Sequence, residues 1–129
     1  CGGLMSEQYL GRMQPSTAEL NTLSLQKYKK MIDAWGGWSL FQELLSTLKR
    51  IAQKHNVTIA NVATRYILDK SAVAGVIIGV RLGIVDHRTS NTQVFNFILD
   101  KSDCEAIDAV CSKSNNLFEI IGDCGDEYR

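Results

Sequence analysis

Val76-Ile-Ile-Gly-Val-Arg-Leu-Gly83, followed by Asp86, His87 and Asn91, is an apolar run that ends in Gly-x-Arg and passes into a helix-like segment. Residues 74–79 are rich in β-branched side chains and too few for a stable helix, so they predict one buried parallel strand. A loop at the carboxyl end of a strand and the amino end of a helix is a place where α/β proteins hold phosphate. Gly79 would let the backbone approach an anion, and Arg81 would supply a planar forked donor that fits phosphate. A solvated surface arginine is the alternative reading of the same residues.

The flanking sequence is helical in pattern. Leu40, Leu44, Leu45, Leu48, Ile51 and Ala52 recur at helical spacing and predict an amphipathic helix that ends at His55, with Ser39 as cap and Asn56 as a left-handed stop. Thr58 is placed to cap a second helix carrying Ile59, Val62, Ala63, Tyr66 and Ile67 on one face. Upstream, Ser24 is placed to cap a helix over 25–34 that stops at Gly36-Gly37, and residues 1–23, with the sole proline Pro15, predict a long loop. Downstream, helical pattern covers 85–95, Asp100 caps a helix to about Ser112 with Cys104, Ile107, Val110 and Cys111 inward, and a short helix covers 117–121. A lone parallel strand leaves its N–H and C=O groups without partners, so its neighbours are expected in a longer parent chain.

The chain has 129 residues, with 14 basic side chains balanced by 14 acidic ones and no long like-charge run. That balance gives no general attraction to nucleic acid or to an anionic membrane, so any anion site must be local. No apolar run is long enough to span a bilayer and no signal-type core is present at the amino end, which predicts a soluble, cytoplasmic protein. Cys1, Cys104, Cys111 and Cys124 have no metal-ligand spacing among themselves or with the histidines, so no metal site is expected. Cys104 and Cys111 read as small buried hydrophobes in a reducing compartment.

Three segments carry a family resemblance. Cys1-Gly-Gly-Leu-Met-Ser-Glu-Gln-Tyr-Leu-Gly11 resembles the glycine loop after the seventh barrel strand of aldo-keto reductases. Ala52-Gln-Lys-His-Asn-Val-Thr-Ile-Ala-Asn-Val-Ala-Thr-Arg-Tyr-Ile-Leu68 resembles that family's seventh helix, and 74–81 its eighth strand with the cofactor loop. The resemblance runs from residue 1 to about residue 112, and Ile121-Gly-Asp-Cys-Gly-Asp-Glu-Tyr-Arg129 looks like the end of a cyanobacterial and plant-plastid subgroup.

It implies an α/β fold: residues 1–129 would be the carboxyl-terminal fragment of a (β/α)8 TIM barrel, which takes about 250 residues in full, mostly helical with one parallel strand near 74–79. The fragment would comprise the loop after the seventh strand, the seventh helix, the eighth strand and helix, and the terminal helices and tail. The implied parent is an NADP-dependent oxidoreductase that reduces a small-molecule carbonyl to an alcohol. This chain would supply the cofactor clamp, be inactive by itself, and reside in the cytoplasm or, by the subgroup, the plastid stroma. A nucleotide-sensing or interaction subunit that binds NADP(H) without turnover is the alternative.

Carried over by position, Gly79 and Arg81 would hold the 2′-phosphate of NADP(H), Asp86, His87 and Asn91 the adenine, and Gly2 and Gly3 the pyrophosphate. The match departs from the family pattern in extra residues between Arg81 and Asp86, in Ser90 where glutamate is frequent, and in Gln8 where lysine is frequent. The family's catalytic Asp, Tyr, Lys and His would precede this segment, and Tyr9, Tyr28, Tyr66 and Tyr128 match none of their contexts. Trp35-Gly-Gly-Trp38 reads as helix-end core packing or as a pocket wall, and His55 as a side chain at a helix carboxyl end.

Overall fold

The computed structural model describes residues 2–79 and 88–122. Among the described residues six α-helices follow one another: α1 (Leu23–Trp35), α2 (Gly37–His55), α3 (Ile59–Leu68), α4 (Arg88–Thr92), α5 (Lys101–Cys111) and α6 (Leu117–Ile121). Short 3-10 turns occupy Glu7–Tyr9 and Gln93–Phe95. Among the described residues no helix is long and apolar enough to cross a membrane.

The centre is α2, which packs against α1, α3 and α5. Its apolar stripe, Phe41, Leu44, Leu45, Leu48, Ile51 and Ala52, is buried and meets Ile59 and Val62 of α3 and Ile107 and Val110 of α5. This is the stripe read from sequence, since positions three and four apart fall on one helix face.

Local chemistry sets the helix ends. Asn56 stops α2 in the left-handed conformation, at φ 53° and ψ 47°, a region asparagine tolerates better than most residues. Thr58 and Asn61 form a capping box on α3: the Asn61 N–H donates to Thr58 Oγ1 and the Thr58 N–H donates to Asn61 Oδ1, each at 3.2 Å. Asp100 and Asp103 do the same for α5 at 2.9 and 3.3 Å. Such boxes satisfy amide donors that a helix start leaves unpaired. The cap of α1 is Thr22 rather than Ser24, and α2 begins at Gly37 rather than near Leu40.

The expected α/β organisation does not form among the described residues. The described residues contain no strand, and residues 74–79 are solvent-exposed, Ile77 fully so. That finding overturns both the parallel strand and the reading of the chain as a (β/α)8 TIM barrel fragment with a strand near 74–79. The physical reason is that a strand is defined by its ladder. The described residues offer this run no second extended segment to pair with, and its β-branched side chains lack the second face that would bury them.

Candidate functional site

Of the residues singled out in the sequence, Gly2, Gly3, Gly79 and Asn91 lie within the described structure, while Arg81, Asp86 and His87 lie outside the described residues. Gly2 and Gly3 take φ values of +56° and +84°, where glycine is strongly favoured. At Gly2 a Cβ would come within 2.9 Å of Leu25 Cδ2 and 3.2 Å of Tyr28 Cδ2, so the loop passes tightly over α1. Gly3 has open space on the corresponding side, and its carbonyl accepts from Ser6 Oγ at 2.6 Å.

The loop that carries these glycines is fastened along its length. Leu4 and Leu20 are buried in the core. The amide of Gln42 on α2 reaches back to it, with Nε2 donating to the Tyr9 carbonyl at 2.9 Å and Oε1 accepting the Gly11 N–H at 2.7 Å. Trp38 Nε1 donates to the Arg12 carbonyl at 2.9 Å, and its ring meets Tyr9 edge-on at 6.3 Å. Glu7 Oε1 accepts the Ile59 N–H at 3.0 Å and lies 3.5 Å from Lys49 Nζ. Partial desolvation alone would raise the Glu7 carboxyl, but the Ile59 N–H and the Lys49 ammonium outweigh it and hold the group below the usual carboxylate range.

At the other part of the site, Asn91 on α4 is half-buried and lines a cleft of about 440 Å³ with Thr64, Leu68, Val76, Ile78 and Phe95. The walls are the carboxyl-terminal half of α3, the 74–78 run and the α4 turn, so Asn91 and the segment leading to Gly79 share one cleft. At Gly79 a Cβ would meet nothing within 4 Å. The two parts of the site are joined through the start of α3: Glu7 holds Ile59, and Asn61 Nδ2 donates to the Ser90 carbonyl at 2.8 Å.

A second, apolar groove of about 280 Å³ is lined by Tyr28, Met31, Trp35, Phe41, Tyr66 and Cys111 among others. Trp35 is therefore a groove wall while Trp38 fastens the loop, so the two indoles divide the roles left open by sequence. The groove has almost no polar lining and nothing in its wall to receive a phosphate. At its edge the Tyr66 hydroxyl donates to Asp108, and Lys70 Nζ sits over the Tyr66 ring, 3.9 Å from its centroid. Burial and the Asp108 bond raise the Tyr66 pKa, which makes it a weaker acid. Cys104 and Cys111 pack against the core as half-buried thiols, both raised by burial.

Sequence reading missed one cluster because its members are distant along the chain. Lys54 and His55, at the end of α2, converge on Asp103: Lys54 Nζ is 2.9 Å from Oδ1, and His55 Nε2 is 2.7 Å from Oδ2. Lys54 also pairs with Asp100. Burial would raise the Asp103 carboxyl, but these partners hold it low. The cluster ties α2 to the start of α5 and lines neither cleft.

A family model described as the aldo/keto reductase family matches residues 2–112. No curated protein and no solved structure matches the chain. The match spans the glycine loop, the cleft beside Asn91 and all helices through α5, and on this ground the chain belongs to the aldo/keto reductase family, a family of oxidoreductases.

Proposed function

We propose that this chain is the cofactor-binding portion of an NADP(H)-dependent reductase that converts a small carbonyl compound to an alcohol. The observation that carries the reading is the family match over residues 2–112, which takes in every residue of the candidate site. The geometry of the described residues fits the cofactor in two respects. The Gly2–Gly3 loop has an open side and glycine-favoured backbone angles, as a close approach of pyrophosphate requires. The cleft around Asn91 combines apolar walls with one amide and two threonines, which suits a flat heteroaromatic ring with hydrogen-bonding edges.

In this reading Asn91, with Asp86 and His87, holds the adenine. Arg81 beside Gly79 takes the 2′-phosphate through charge-assisted hydrogen bonds. When bound, the nicotinamide supplies hydride to the carbonyl carbon. The residues of this chain bind and orient the nucleotide, and the proton donor belongs to the remainder of the parent enzyme, so the chain by itself has no turnover.

Titration of the chain with NADPH and with NADH, followed by nucleotide fluorescence, tests the proposal. Saturable binding with NADPH preferred is expected. Absence of binding, or equal affinity for both nucleotides, would overturn it.

A further inference from the structure

Between the glycine loop and α4, the amino end of α3 is bonded in both directions. On one side, the Ile59 N–H donates to Glu7 Oε1 at 3.0 Å across a separation of 52 residues. On the other, Asn61 Nδ2 donates to the Ser90 carbonyl at 2.8 Å across 29 residues. Between them the capping box is closed twice on the same amide oxygen, since Asn61 Oδ1 accepts from both the N–H and the hydroxyl of Thr58, at 3.2 and 2.7 Å. Asn61 is 4% exposed. Its amide therefore spends its oxygen on the cap and a hydrogen on α4, and a buried amide left without those partners would be costly.

Glu7 adds a bond to a helix amide that has no acceptor within its own helix. Lys49 of α2, 3.5 Å from the same oxygen, holds that carboxylate in its charged form. Arg65 Nη1 makes a longer contact with the Val94 carbonyl, at 3.5 Å, so α3 also touches the 3-10 turn that follows α4.

We propose that Glu7 and Asn61 are positioning residues that set the glycine loop and α4 in one fixed arrangement through the start of α3. The inference rests on the functional reading above, in which the loop receives the pyrophosphate and Asn91 the adenine. One nucleotide then bridges two pieces whose spacing is fixed before it arrives, so the ordering cost is met in folding rather than in binding. Neither side chain touches the nucleotide. Their contribution is to the separation of the groups that do.

NADPH titrations of the unaltered chain and of Glu7→Ala, Glu7→Gln and Asn61→Asp test this, with melting temperature and amide hydrogen exchange measured alongside. Glu7→Ala removes the acceptor for Ile59, whereas Glu7→Gln keeps one. Asn61→Asp keeps the cap but loses the donor to Ser90. Glu7→Ala and Asn61→Asp are expected to weaken NADPH about tenfold, with Glu7→Gln recovering most of the loss. Amide exchange at Asn91 and Thr92 should also rise in Glu7→Ala, although the hydrogen bond of residue 7 is to α3 and not to α4.

Unchanged exchange at those amides, or NADPH binding by Glu7→Ala and Asn61→Asp equal to that of the unaltered chain, overturns the coupling alone. Equal weakening by Glu7→Ala and Glu7→Gln overturns it too, because charge rather than the Ile59 bond would then be responsible. Absence of NADPH binding by the unaltered chain removes the functional reading and the coupling with it.

Discussion

The loop over residues 2–22 and the run over 74–79 both lack extended regular structure and both carry glycines of the proposed cofactor site, yet they are held in opposite ways. The loop is pinned by buried Leu4 and Leu20 and by side chains from α2 that reach its backbone. The run has the stronger local preference for an extended strand, and its side chains are exposed. Order in a connecting segment depends on anchors supplied by the rest of the molecule more than on the intrinsic preference of its residues.

Truncating one apolar side chain in each region gives the sharpest contrast. Leu4 is 0% exposed, so Leu4→Ala is expected to cost about 2–5 kcal/mol in chemical denaturation, while Ile77→Ala, at a fully exposed position, changes stability by no more than about 0.5 kcal/mol. Similar losses at the two sites would mean that the run is packed in solution.

The next largest effect should come from the helical frame to which the loop is fastened. Asp103→Asn removes charge-assisted bonds to Lys54 and His55 and is expected to cost about 1.5–3 kcal/mol at neutral pH. The folded Asp103 carboxyl lies below its unfolded value. Its stabilisation is therefore complete above the unfolded carboxylate pKa, about 3.9, and is lost as pH falls through the lower folded value. Denaturation curves for the two proteins should be furthest apart near neutrality and converge on acidification. A gap that widens with acid would contradict the pairing.

Gln42→Ala should act more gently, since it removes two neutral hydrogen bonds worth together about 1–2 kcal/mol. Its distinctive mark should be faster proteolytic cleavage within residues 5–13, with α2 and α3 still protected. Uniform loss of protection across the chain would show that Gln42 supports the core rather than the loop.

Helices were legible in the sequence because their determinants are local. The α2 stripe, the left-handed Asn56, and Thr58 and Asp100 at the starts of α3 and α5 all act within a few residues. The run over 74–79 misled for the converse reason: β-branched composition states a preference, and a ladder needs a partner that sequence proximity does not provide.

Among site residues, Gly2 and Gly3 were singled out from the doublet, and only at Gly2 does the backbone pass tightly over α1. Asn91 was assigned by family resemblance, and its place in a cleft beside the 74–78 run is a tertiary fact. Glu7 and Gln42 gave no sequence signal, because their partners are backbone groups tens of residues away.

Paired titrations of the unaltered chain and Arg81→Ala with NADPH and NADH test the proposed recognition of NADP(H) through Arg81 most directly. NADH lacks the 2′-phosphate, so a contact to that group contributes nothing to its affinity. Arg81→Ala is expected to cost about 1.5–3 kcal/mol for NADPH, roughly ten- to a hundredfold in dissociation constant, and to leave NADH unchanged. An equal loss for both nucleotides, or no loss for either, would contradict the assignment.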